Sequence, residues 1–445
     1  MAEHWGVGGL RWRLREILQT LWVRVAAFAG LGLLTASTGY VVRPFIPNEL
    51  ALQIGAEAIE AILEIIASSM LTVTTFSLSI LTAAYATASS GSTPRAVQLL
   101  VRDGVSQTVL ATFMGAFVFS LVGLIMLKTG LYGGGGRVVL FVVTLLVIAI
   151  IILSLLRWIN RLGELGLIGD NLARVEQVTL EALQTRLESP WMGANPLRGP
   201  PPPDSVPILA PEVGHVQNLD MQSLSDLADK AGVILYMTAS PGDLVHPAQA
   251  LCHVLGMPTE AEAAQDLRRD LIACVTLRPA RSFAQDPRFG FLVLTEIGQR
   301  ALSPAVNDPG TAISVINRML RILSVWSHEA APEVRFPRLH VRSITPEEIL
   351  RDNLMPLARD GAAMAEVHRA LQTMLLALTR MAPEVFESAA SELTGMVQFY
   401  AAQALVLTSE RDELALMSAH VHEVAGRVVP SEPRDNQKVQ KSSLT

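Results

Sequence analysis

The fold class predicted from the sequence is an α-helical membrane protein: a four-helix transmembrane domain followed by a cytoplasmic α+β module and a helical bundle. Three observations predict it. The stretches 25–42, 65–93, 104–127 and 138–156 contain no charged residue, and each is near or above the roughly 20 residues that a helix needs to cross a bilayer. Charged residues make up 17% of the chain, below the ~25% usual in soluble proteins, and the deficit is concentrated before Arg157. After Arg157 the composition becomes ordinary and amphipathic, with length enough for one or two soluble domains.

The transmembrane domain is expected over 1–176, with spans at about 22–42, 62–90, 104–127 and 138–157. The first run is too long for a signal-peptide core and lacks a small-residue cleavage site, so it reads as a retained span. Arg11, Arg13, Arg15 and Arg24 precede it, Arg95 and Arg102 lie between the second and third spans, and Arg157, Arg161 and Arg174 follow the fourth. Only Arg43, Lys128 and Arg137 fall on the other side. Basic residues collect on the cytoplasmic side of short loops, which predicts cytoplasmic termini and a cytoplasmic C-terminal region.

Hydroxyls run through the second span. At 100° per residue, Ser68, Thr72, Thr75, Ser79, Thr82, Ser90 and Thr93 fall within a sector of roughly 80°, and Glu57 and Glu64 extend that face outward with Glu60 on its shoulder. Around an oligomer axis such a stripe would line a path with carboxylates at its mouth, an arrangement that favours cations. The alternative is close helix packing, which small and hydroxyl residues also promote. Ser69, Thr74, Ser77 and Thr87 lie off the stripe and suit that alternative. In the loop that follows, Ser92 or Thr93 before Pro94 reads as a helix cap. Arg95 and Arg102 would sit at headgroup level as anchors or phosphate contacts.

The apolar helical period of the fourth span continues through Ile159, Leu162, Leu165, Ile168, Leu172 and Val175, predicting one long helix despite Gly163 and Gly166. A stalk helix and Pro-rich linker are expected over 177–212, since 195–211 holds seven prolines. A small α+β module follows at 213–258, with strands near 214–219 and 233–238 around a helix at 221–230. A mainly helical domain is expected over 259–430 and a disordered tail over 431–445. Asp286-Pro287, Ser303-Pro304 and Asp308-Pro309 read as helix starts. Thr345 with Glu348 reads as a capping box, and Ile344 with Ile349 as its hydrophobic staple.

The densest polar cluster lies at 278–313 and includes Arg281, Gln285, Asp286, Arg300, Asn307 and Asp308. An arginine pair with helix amino termini there could hold an anion. Capping explains Asp286, Ser303 and Asp308 without a ligand. The histidines have no partners at zinc-site spacing, no phosphate-binding loop or nucleophile elbow occurs, and Cys252 and Cys274 read as reduced structural thiols. No cofactor, metal or catalytic residue is read from the chain. A net charge of -6 argues against a nucleic-acid partner.

The order of spans, the ASSGSTPRAVQLLVRD loop at 88–103, the PGDLV turn at 241–245 and above all FAQDPRFG followed by RALSPAVNDPGTAI resemble the bacterial predicted-membrane-protein family known as domain of unknown function 2254. The family pattern resembles RT-x-x-QDP and RALSPGINDP-x-TA, matched here by Arg281, Ser282, Gln285, Asp286 and Pro287, then by 300–309 with Thr311 and Ala312. Ser282 replaces a common Thr and Ala305-Val306 a common Gly-Ile. The resemblance implies a multi-pass inner-membrane protein and supplies no activity or catalytic residue. The sequence leaves two functions open. One is a homo-oligomeric cation-permeable pore in the lipid bilayer, lined by Glu57, Glu64, Ser68, Thr72, Thr75, Ser79 and Thr82 and regulated by the cytoplasmic domain. The other is a membrane-anchored sensor or scaffold that binds a small anionic ligand through Arg281, Gln285, Asp286, Arg300, Asn307 and Asp308.

Overall fold

The structure, a computed structural model, describes residues 23, 25–31, 34, 56–91, 93–96, 103–129, 134–327 and 333–426. It divides into two compact units, Met1–Asn171 and Leu172–Thr445. In the first, three helices are long and apolar enough to cross a membrane: α1 (Ala56–Gly91), α2 (Gly104–Lys128) and α3 (Gly134–Leu162). Of the expected first span at 22–42, the described residues are helical and the remainder lies outside them. The expected tail at 431–445, Ser92 and Arg102 also lie outside the described residues.

Burial in α1 repeats at helical spacing through Ile59, Leu63, Ile66, Met70, Thr74, Ser77 and Leu81. That face packs along α2, whose Val109, Phe113, Ala116 and Phe119 complete the contact. At the opposite end of α2, Asp103 caps the helix by accepting from Ser106 N at 2.9 Å. The same carboxylate faces the buried Arg161 at 3.4 Å, and Arg161 also pairs with Asp170 at 2.9 Å and Glu164 at 2.7 Å. A cation removed from water is tolerable only with such partners.

The expected continuous helix through Val175 is interrupted. α3 ends at Leu162, and α4 (Ile168–Glu188) starts afresh after a turn in which Gly166 adopts φ +82°. Apolar periodicity survives a glycine turn, so it carried no trace of the break.

The second unit contains a five-stranded sheet of order β1-β8-β4-β6-β2 and a three-stranded sheet of order β5-β3-β7. The strands are β1 (Ala194–Pro196), β2 (Val206–Leu209), β3 (Gly214–Leu219), β4 (Ile234–Met237), β5 (Leu244–Val245), β6 (Ala250–Leu255), β7 (Val275–Arg278) and β8 (Phe336–Val341). β8 pairs in parallel with both β1 and β4, and the remaining pairings are antiparallel. Helices α5 (Met221–Ala231) and α6 (Ala261–Ala273) lie within this α+β part.

The Pro-rich segment read as a linker therefore supplies two strands. β2 is an edge strand, where Pro207 can sit opposite His253 without breaking a two-sided ladder. The α+β part likewise extends beyond 213–258, because β7 and β8 arise within the segment expected to be mainly helical.

Six further helices follow: α7 (Pro287–Ala301), α8 (Pro309–Leu323), α9 (Pro346–Asp360), α10 (Ala365–Met381), α11 (Pro383–Ala404) and α12 (Thr408–Gly426). Four of them carry proline in the first turn, where a missing amide hydrogen costs nothing. Asp308 caps α8 as expected, accepting from Thr311 N at 3.0 Å. Thr345 caps α9, accepting from Glu348 N at 3.3 Å, while the Glu348 side chain pairs with Arg342 instead of closing the box. Ser303-Pro304 starts no helix: Ser303 Oγ donates to Arg300 O and the segment is a turn.

Candidate functional site

Ser68, Thr72, Thr75, Ser79 and Thr82 all lie on the exposed face of α1. Each hydroxyl donates to the carbonyl four residues earlier, at 2.9, 3.0, 3.0, 3.1 and 2.9 Å respectively. This internal bonding lets the side chains face an apolar or a polar medium. The hydroxyls packed against α2 are instead Thr74 and Ser77, both off the stripe. Among the described residues the stripe is thus not the packing seam. Glu57 and Glu64 are exposed, but Lys128 sits 2.8 Å from Glu60 and 3.9 Å from Glu64, which offsets part of the negative charge at that end.

The polar residues of 278–313 separate into two groups. Arg281, Gln285 and Asp286 lie before α7, whereas Arg300, Asn307 and Asp308 lie at its far end. The helix has 15 residues, so the groups stand about 22 Å apart at 1.5 Å per residue. The far group shapes a corner. Asn307 takes φ +51° with its amide donating to Ser303 O at 2.8 Å, and Asp308 is occupied in capping.

The near group meets the PGDLV turn. Asp286 is 2% exposed and pairs with Arg281 Nη2 at 2.7 Å. Arg288 Nε stands 3.6 Å from its other oxygen, while Arg288 Nη2 donates to Pro241 O and Asp243 Oδ1, both at 2.8 Å. Gly242 has φ +96°, and a Cβ there would lie 2.2 Å from Asp286 Oδ2. Only glycine supplies both that backbone conformation and that space. Although Asp286 occupies the cap position of α7, its side chain makes no capping bond. Burial pushes the Asp286 carboxyl above its usual range, against the pull of Arg281 and Arg288. Gln285 is held by the backbone of Leu219, accepting from its N at 3.0 Å and donating to its O at 3.4 Å.

Beside this cluster lies Arg186, in the last turn of α4. The helix packs so closely on α7 that a Cβ at Gly290 would lie 1.9 Å from Thr179 Oγ1. Arg186 is 6% exposed, its Nη2 donates to Gln285 O at 3.2 Å, and its Nη1 has no hydrogen-bond partner among the described residues. Burial, reinforced by repulsion from Arg288 and opposed by Asp286, draws its pKa down to about 10. It remains a cation at neutral pH. Arg186 lines a cavity of about 390 Å³ together with Arg335, Asn218, Asp220, Met221 and Phe336.

Arg186, Arg288 and Arg335 were not singled out from the sequence. For Arg186 a signal existed: Leu172, Val175, Thr179, Leu183 and Arg186 recur at helical spacing, placing a charge on the buried stripe of α4.

These features define an α-helical membrane protein with a soluble α+β and helical portion. The chain belongs to the family described as predicted membrane protein (DUF2254), whose model matches residues 19–377. It is similar to the uncharacterized proteins Rv1290c of Mycobacterium tuberculosis and Mb1321c of Mycobacterium bovis, at 28% identity over 277 residues in each case. The match spans 61% of this chain and 53% of each relative, so the chain covers about half the length of the relatives it matches. No solved structure matches the chain.

Proposed function

We propose that the protein is a membrane-anchored receptor that holds a small anion in its cytoplasmic portion, with Arg186 as the primary contact. The observation that carries this reading is a guanidinium removed from water with no carboxylate within ion-pairing distance among the described residues. Such a burial costs several kcal/mol unless a counter-ion is supplied, and the adjacent cavity leaves room for one. The neighbouring acid Asp286 is bonded through Oδ2 to Arg281, and its Oδ1 stands 3.6 Å from Arg288 Nε.

Thermal unfolding of the full chain tests the reading. Arg186→Met should unfold at a higher temperature than wild type without ligand, because an uncompensated charge is replaced by an apolar side chain of similar length. A screen of carboxylates and phosphates should stabilise wild type, by about 2.7 kcal/mol at a hundredfold excess over Kd, and leave Arg186→Met unchanged. A destabilised Arg186→Met combined with a wild type indifferent to every anion would sink the proposal.

The exposed hydroxyl stripe favours a second reading, a homo-oligomer in which α1 lines a cation path. Its side chains face away from α2 and continue toward Glu57 and Glu64. In reconstituted bilayers, Glu64→Gln should lower cation selectivity and Thr75→Leu should reduce conductance. Absence of current in wild type, or currents that neither substitution alters, would eliminate it.

A further inference from the structure

The charge and the walls of the Arg186 cavity restrict the ligand further. Among the groups clustered at this place, Arg186, Arg281, Arg288 and Arg342 face three carboxylates, Asp243, Asp286 and Glu348, so one positive charge is left over. Arg335 and Asp220 also line the cavity and add no net charge between them, the Asp220 oxygens accepting from Ser223 N and Ser223 Oγ at 3.1 and 2.8 Å. A phosphate monoester brings a charge of about −1.5 to −2 at neutral pH, more than this balance accommodates. A carboxylate brings one charge.

The remaining walls combine the polar Thr185, Ser189, Asn218 and Gln285 with an apolar side. Met192, Leu219, Met221 and Phe336 line the space, and the Phe336 ring is held under the Arg335 guanidinium at 5.6 Å. The cavity also meets the start of the 11-residue helix α5 at Asp220 and Met221. The helix dipole at such a start favours a negative group, and the Asp220 cap already supplies one.

Building on the reading of this cavity as an anion site, we propose that its ligand is a singly charged organic acid. The carboxylate is received by the Arg186 guanidinium and the apolar body packs against Met192, Met221 and Phe336. Among singly charged anions specificity then comes from the body, because each of them answers the charge equally.

Isothermal titration of the full chain in lipid nanodiscs with linear monocarboxylates from acetate to hexanoate, and with inorganic phosphate, tests the assignment. Affinity is expected to rise about fourfold for each added methylene that is buried, with hexanoate binding more tightly than phosphate. Met192→Ser should flatten the rise, and Arg186→Met should weaken every member by at least ~10-fold. Arg186→Lys keeps the charge and should bind more weakly with the same dependence on chain length, which separates lost recognition from a misfolded variant. A flat series, or phosphate binding more tightly than hexanoate through Arg186, would overturn the organic-acid assignment while leaving the anion site standing. If no anion titrates, or if Arg186→Met binds as wild type does, the anion site falls with it.

Discussion

At the scale of single residues, the positions that matter most are those where one side chain leaves no room for another. Gly242 illustrates this, since its positive φ and the Asp286 carboxylate against it exclude a Cβ for two separate reasons. Gly242→Ala should lower stability by about 1–3 kcal/mol and displace Asp286, weakening any Arg186-dependent binding along with it. Denaturation and ligand titration of that one variant measure both effects. Proline before an aspartate at 243 announces a turn in the sequence. That the turn presses on Asp286, 44 positions later, depends on a fold that local chemistry does not encode. Arg186 shows the converse: its place on the apolar stripe of α4 was readable, but the lack of a partner was not.

At the scale of elements, local signals served best where they act within a few residues. The caps of α8 and α9 form at Asp308 and Thr345 as their sequences dictate, because the bonded groups lie three positions apart. Asp308→Ala should cost about 1 kcal/mol without altering anion response, since the residue stands a helix length from Arg186. Comparing melting temperatures with and without ligand checks both statements. Local signals failed where two patterns look alike. Ser303-Pro304 has the composition of a helix start, yet its hydroxyl turns back to Arg300 O. The Pro-rich segment resembles a linker, yet Val206–Leu209 is a strand because an edge position tolerates Pro207. In α1 the periodicity located a hydroxyl stripe but left open whether it packs, and the structure buries Thr74 and Ser77 beside it while exposing Thr72 and Thr75.

At the scale of the whole molecule, acid should destabilise the fold through His368. Its ring is fully buried in α10, and neither nitrogen has a well-formed hydrogen bond. Burial draws its pKa down from 6.5 to about 4, against a weaker opposing pull from the Ala362 and Gly361 backbone. Because the folded value is the lower one, the unfolded chain takes up a proton first as pH falls. The stabilising contribution is full above about pH 6.5 and is lost as pH drops toward about 4. The slope is on the order of 1.4 kcal/mol per pH unit. Unfolding of the full chain between those limits should show this slope in wild type and a shallower one in His368→Leu. The sequence by itself determined the membrane class, the family, three apolar helices and most helix starts, because length, hydropathy and capping are properties of neighbouring residues. Tertiary structure alone decided that the polar cluster at 278–313 is two groups about a helix length apart, that β8 joins a sheet begun at β1, and that Arg186 lines a cavity with no carboxylate paired to it among the described residues. Those outcomes depend on which groups long stretches of chain bring together in space, and burial then sets the cost of a charge left unpaired.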